Sequence, residues 1–200
     1  MKIFLALALS LVFVACGGKH QAINPDWKNT PEFFSVLVSE PYVLNLDDVT
    51  DDFGTVDVFR NWLTSYLDTS FSSYTNVRRS VKMVPDESFE VIGVALNDEV
   101  LKIPMPLVEK IEGLNGIVVS MHPLRFWREK SSCSRGGCIG DKHLYFVVAY
   151  SIVRVEDRQI LAYGITHGGD SFTFAMTKGN WESVLDKVVM NIIEKTPLKK

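Results

Sequence analysis

The sequence predicts a single α+β domain, a mixed β-sheet with a long hairpin in its C-terminal half and amphipathic helices packed on one face. Three stretches carry that prediction. Leu144 to Val155, LYFVVAYSIVRV, is apolar, β-branched and aromatic almost throughout, and long for a strand. A turn at Glu156-Asp157-Arg158-Gln159 leads into a second apolar run, Ile160 to Thr166, so the two read as a β-hairpin. Near the C-terminus Trp181, Val184, Leu185, Val188, Ile192 and Ile193 recur at spacings of three and four, with Asn180 as N-cap and Pro197 beyond the stop.

The other elements follow in chain order. Phe33 to Leu46 holds two apolar runs divided by Ser39-Glu40-Pro41, which gives strand character with an edge or bulge near the proline. The acidic run Asp47 to Asp52 lacks the sixth-position glycine and twelfth-position glutamate of a calcium loop. It is read instead as charge preceding a helix N-terminus, with Thr55 as the N-cap. Val58, Trp62, Leu63, Tyr66, Leu67 and Phe71 form the apolar stripe of that helix. Val81 to Val84, Phe89 to Leu96 and Val100 to Ile103 read as short strands, with turns at Pro85-Asp86-Glu87 and Asn97-Asp98-Glu99. Pro106 opens a short helix that Gly113 or Gly116 closes, and Ile117 to Phe126 adds a strand. His167-Gly168-Gly169-Asp170-Ser171 reads as a glycine turn at a strand end, since no GxSxG elbow exists to make it an esterase oxyanion loop.

The N-terminus speaks to address. Lys2 precedes an apolar run from Ile3 to Ala15 broken only by Ser10, the layout of a secretory signal. The run is shorter than the roughly 20 residues a spanning helix needs. Val14-Ala15-Cys16-Gly17 resembles the lipobox of bacterial lipoproteins, with Phe13 where that pattern usually has leucine. The resemblance covers residues 1–18. It implies removal of 1–15 as a signal peptide and a diacylglyceryl, palmitate-type modification of Cys16 as the new N-terminus. It also implies membrane anchoring, and Gly17 in place of aspartate points to the outer membrane, facing the periplasm or the cell surface. Residues 16–30 then read as a lipidated tether, up to about 50 Å when extended, and 31–197 as the domain.

Charge narrows the partners. The 200 residues carry 21 basic and 24 acidic side chains, and loss of residues 1–15 removes only Lys2, leaving −4. General nucleic-acid binding needs a basic face and is disfavoured. The segment from Arg125 to His143 differs, with five basic against two acidic residues, a net of +3, so the rest of the mature chain is −7. Arg125, Trp127, Arg128, Lys130 and Arg135 are the candidates there for contact with an anionic partner: lipid headgroups, cell-wall polymer or protein. Within the same segment Cys133 and Cys138 suit a disulfide, given an oxidising compartment. The alternatives are free thiols or a metal site with His122 and His143, although the CxxC pairing of zinc sites is absent.

No cofactor or resident metal is expected, and neither a nucleophile motif nor a carboxylate pair points to an enzyme. The element order, together with the lipobox, is similar to the small domain shared by the curli-secretion lipoprotein, penicillin-binding-protein activator lipoproteins and the TolB amino-terminal domain. That resemblance implies a non-catalytic binding or assembly role in the envelope, through an envelope protein or self-association. The alternatives are an auxiliary lipoprotein of an envelope transport system and, behind it, a hydrolase.

Overall fold

The computed structural model describes residues 20–40, 46–129, 133–134, 137–138, 142–172 and 176–200. Along the chain run β1 (His20–Ile23), β2 (Phe33–Ser39), helices α1 (Leu46–Phe53) and α2 (Val56–Tyr74), and β3 (Arg78–Val84). A hairpin of β4 (Phe89–Leu96) and β5 (Glu99–Pro106) comes next, then β6 (Ile117–Glu129) and the short pair β7 (Cys133–Ser134) and β8 (Gly137–Cys138). The chain ends with β9 (Lys142–Arg154), β10 (Gln159–Phe172) and α3 (Lys178–Ile193). Six strands make one mixed sheet in the order β1-β10-β9-β6-β2-β3, parallel on both sides of β2 and antiparallel elsewhere. The expected α+β class and the β9–β10 hairpin are both present.

The long apolar run of β9 follows from burial on both faces, which removes the need for alternation. On one face Phe146, Val148, Tyr150 and Ile152 join the main core with Phe59, Leu63 and Phe71 of α2 and Trp181, Val184 and Val188 of α3. On the other, the β4–β5 hairpin lies across the sheet as a separate ribbon instead of extending it. Its two-residue turn uses Asn97 and Asp98 at φ 48° and 65°, left-handed at both centres as a tight hairpin requires. Beneath β5 the sheet carries Ser120 opposite Ser151, side chains small enough for a second layer of backbone to approach. The Ser151 hydroxyl donates to the Pro104 carbonyl, and Tyr163 Oη donates to Ala95 O at 2.8 Å.

Several local expectations need correction. The N-cap of α3 is Thr177, not Asn180: Asn180 is the third helical residue, and its Oδ1 accepts from the Thr177 backbone N–H at 2.9 Å. In α2 the buried member of the first turn is Phe59, while Val58 is 48% exposed. Thr55 does cap that helix, its Oγ1 accepting from Val58 N at 3.2 Å. Asp47 to Asp52 lie inside α1 and do not merely precede a helix. Pro106 ends β5, and one 3-10 turn, Val108–Lys110, stands where a short helix was expected. Of the second apolar run, Tyr42 to Leu46, residues 42–45 lie outside the described residues, and Leu46 opens α1 instead of ending a strand.

Residues 20–30, expected as part of a tether, belong to the fold. From His20 the chain is already in the sheet, pairing His20 with Ile165 and Ile23 with Ala162. Asn24 N donates to Leu161 O at 2.8 Å, Trp27 packs against the core, and Thr30 Oγ1 donates to Pro197 O at 3.0 Å. Residues 1–15, Cys16 and the rest of the chain before His20 lie outside the described residues.

Helices α2 and α3 are clasped through Asp186, which accepts from Ser70 Oγ at 2.6 Å and Tyr66 Oη at 3.3 Å. Burial, then the charges of Asp186 and Glu182, raise the Tyr66 phenol above its ordinary value of 10.0, and burial raises that of Tyr150. A raised folded-state value favours the neutral phenol, so this contribution to stability is whole below pH 10.0 and is lost as pH rises through the folded values. Denaturation midpoints should therefore fall above about pH 10. The double change Tyr66→Phe, Tyr150→Phe should flatten that decline, and an unaltered alkaline slope would refute the assignment.

Candidate functional site

β2 pairs with β6 only through Met121, whereas β6, β9 and β10 run on for many residues. Their far halves form a three-stranded blade that projects past the body of the sheet. Pro123 stands where β6 loses β2, a place where a strand tolerates a missing N–H. A register shift between Pro123 and Arg125 leaves Leu124 unpaired and exposed. This bulge sets which way each later side chain of β6 points.

The blade has two unlike faces. Toward the helices, Phe126 stacks on Phe146 at 3.8 Å and 8°, with Trp181 at 5.6 Å from Phe126, and the Arg128 guanidinium lies 5.5 Å over the Phe172 ring. On the opposite face Arg125 lies 4.7 Å over Trp127, Trp127 stacks on Tyr145 at 4.6 Å and 21°, and His143 stands 5.7 Å from Tyr145. Next to Tyr145 across the β9–β10 register is Gly169, where a Cβ would come within 3.1 Å of the tyrosine ring. The glycine thus gives the ring its berth. Arg125, Trp127, Tyr145 and Gly169 form a continuous cross-strand ladder.

Beside it opens a shallow groove of about 700 Å³, lined by His143, Tyr145, His167 and Ser171 of the blade and by Lys187, Met190 and Asn191 of α3. Two α3 side chains reach the edge of β10: Lys187 Nζ donates to Gly169 O at 2.6 Å and Asn191 Nδ2 to His167 O at 3.2 Å. His167 to Ser171 are therefore strand, not the expected turn. The physical reason is packing: a Cβ at Gly168 would sit 2.1 Å from the Val184 carbonyl oxygen, so glycine there is what allows α3 to lie against the strand.

Of the candidates for anionic contact, Arg125 and Trp127 come together on the open face, while Arg128 is turned to the helix face. Lys130 and Arg135 lie outside the described residues. In the backbone of β7 and β8, Cys133 is directly opposite Cys138. The alternative in which His122 and His143 share a metal fails on distance. His122 pairs with Ala149, six residues along β9 from His143, which is about 20 Å. His122 instead meets a serine, its Nδ1 2.7 Å from Ser39 Oγ. Such a pair has nucleophile–base spacing, but Ser39 is 0% exposed and offers no approach to a substrate. Tyr145 was missed in the sequence because it stands near the head of a long apolar strand, and His143 was read there only as a possible metal ligand. Their signal was the alternation His143, Tyr145 against Leu144, Phe146 at its start.

No helix among the described residues is long and apolar enough to cross a membrane. No protein-family profile matches the chain, and no curated protein matches it. Among solved structures it is similar to a PelC dodecamer from Paraburkholderia phytofirmans, with TM-score 0.41, 10% identity, and coverage of 92% of this chain and 100% of that one. It is also similar to a minor lipoprotein from Acinetobacter baumannii, with TM-score 0.35, 10% identity, and coverage of 82% of this chain and 91% of that one. A lipoprotein from Neisseria meningitidis is a third, with TM-score 0.36, 11% identity, and coverage of 82% of this chain and 97% of that one.

Proposed function

We propose that the chain is a lipid-anchored lipoprotein of the bacterial cell envelope, held at the outer membrane through Cys16, that acts by binding and assembly and not by catalysis. Its contact surface is the open face of the blade. The observation that carries this reading is the ladder of Arg125, Trp127 and Tyr145, a cationic and aromatic row presented to solvent on three paired strands. Stacked rings on paired strands lose little freedom on contact, and a guanidinium beside them selects anionic partners. A Cys133–Cys138 bridge, whose two positions the register sets opposite one another, would stiffen the hairpin at the blade tip.

Growth with labelled palmitate is expected to mark the chain, and Cys16→Ala should abolish both the label and its recovery with membranes. Arg125→Glu combined with Trp127→Ser should then reduce recovery of crosslinked envelope components by roughly tenfold without altering the palmitate label. An unlabelled wild-type chain would overturn the anchor; unchanged crosslinking in the double variant would overturn the contact surface.

A further inference from the structure

Strand direction fixes where the anchor sits. β1 runs antiparallel to β10 with His20 opposite Ile165, so the N-terminal end of β1 faces the Phe172 end of β10, the blade end of the sheet. Cys16 is only four residue steps before His20, a reach of about 14 Å when fully extended. From Ile165 to Gly169 is also four residues, about 14 Å along the strand. An acylated Cys16 can therefore lie level with the row formed by Gly169, Tyr145 and Trp127. The Glu156–Arg158 turn, at the other end of the β9–β10 hairpin, is held away.

We infer that the occupant of the blade's open face is the bilayer that receives the acyl chains, with Arg125, Trp127, Tyr145 and His143 resting among anionic headgroups. The inference rests on acylation of Cys16, the reading proposed above. Two further observations favour a lipid surface. Tryptophan and tyrosine rings stacked beside a guanidinium combine the apolar body and polar rim that suit the headgroup layer. Charge is segregated the same way, since residues 125–143 carry +3 and the rest of the mature chain −7. A negative surface thus attracts this end and repels the remainder.

The test uses the full acylated chain in phosphatidylcholine vesicles made with or without phosphatidylglycerol, with photoreactive benzoylphenylalanine in place of Tyr145 or, as a control, of the exposed Arg158. Lipid adducts at position 145 should exceed those at position 158 by about tenfold when phosphatidylglycerol is present. Arg125→Glu should lower adducts at position 145 by roughly fivefold while the chain stays on the vesicles. Release of the wild-type chain from all vesicles would mean that the anchor reading has failed. Retention with equal adducts at the two positions would mean that the anchor stands and the orientation is wrong. Adducts in cells that join position 145 to a protein and not to lipid would overturn the inference in favour of a protein partner.

Discussion

Trp181→Ala should cost about 4 to 5 kcal/mol, a large share of the roughly 5 to 15 kcal/mol by which a folded chain is ordinarily stable. The indole is 2% exposed and stands 5.5 to 5.6 Å from the rings of Phe53, Phe59 and Phe126, with Trp62 at 6.4 Å. These neighbours come from α1, α2 and β6, so one side chain joins three elements to α3. Its Nε1 donates to Asp52 Oδ2 at 2.9 Å, and truncation would also strip that carboxylate of its donor. Trp181→Phe keeps most of the apolar contact and loses the hydrogen bond, so a smaller loss of about 1 to 2 kcal/mol is expected. Urea denaturation followed by near-ultraviolet circular dichroism would check the pair. An alanine variant with a wild-type midpoint would show that the aromatic cluster is not the centre of the core.

Gly168→Ala is expected to destabilise by about 3 kcal/mol, lowering the melting temperature by roughly 6 to 12 °C. The added methyl would meet backbone, the Val184 carbonyl at 2.1 Å, so relief requires α3 to move bodily away from β10. Gly169→Ala is the informative contrast. Its methyl meets the Tyr145 ring at 3.1 Å, the outer part of a side chain that can swing. Stability should change by only about 1 kcal/mol while the ladder is displaced, so the adjacent glycine tests the contact surface and Gly168 tests the fold. Equal melting temperatures for Gly168→Ala and the wild type would contradict the close packing of helix on strand.

These glycines also show where sequence reading stops. Trp181, Val184, Leu185, Val188, Ile192 and Ile193 are all buried as their spacing predicts, because a helix lying on one surface keeps a single apolar stripe. The paired glycines have no such local signature. Their meaning depends on Val184 and Tyr145, which are distant in sequence, so a turn and a close approach look alike in the chain. The strands β4 and β5 and the turn between them were legible, but a ribbon over a sheet and two further strands within it share the same alternation. At the candidate site, the adjacency of Arg125 and Trp127 could be read as a basic, aromatic segment. The bulge at Leu124, which turns Arg125 and Trp127 one way and Arg128 the other, could not, since nothing in the residue types dictates the register shift.

The carbonyls of His167 and Gly169 lie just past the stretch where β1 covers β10, and Asn191 and Lys187 already donate to them. A stray strand from another molecule arriving at that margin finds its acceptors taken and a charged amine in its path. Many copies brought close together could thus stand side by side without zipping into a fibril along this border.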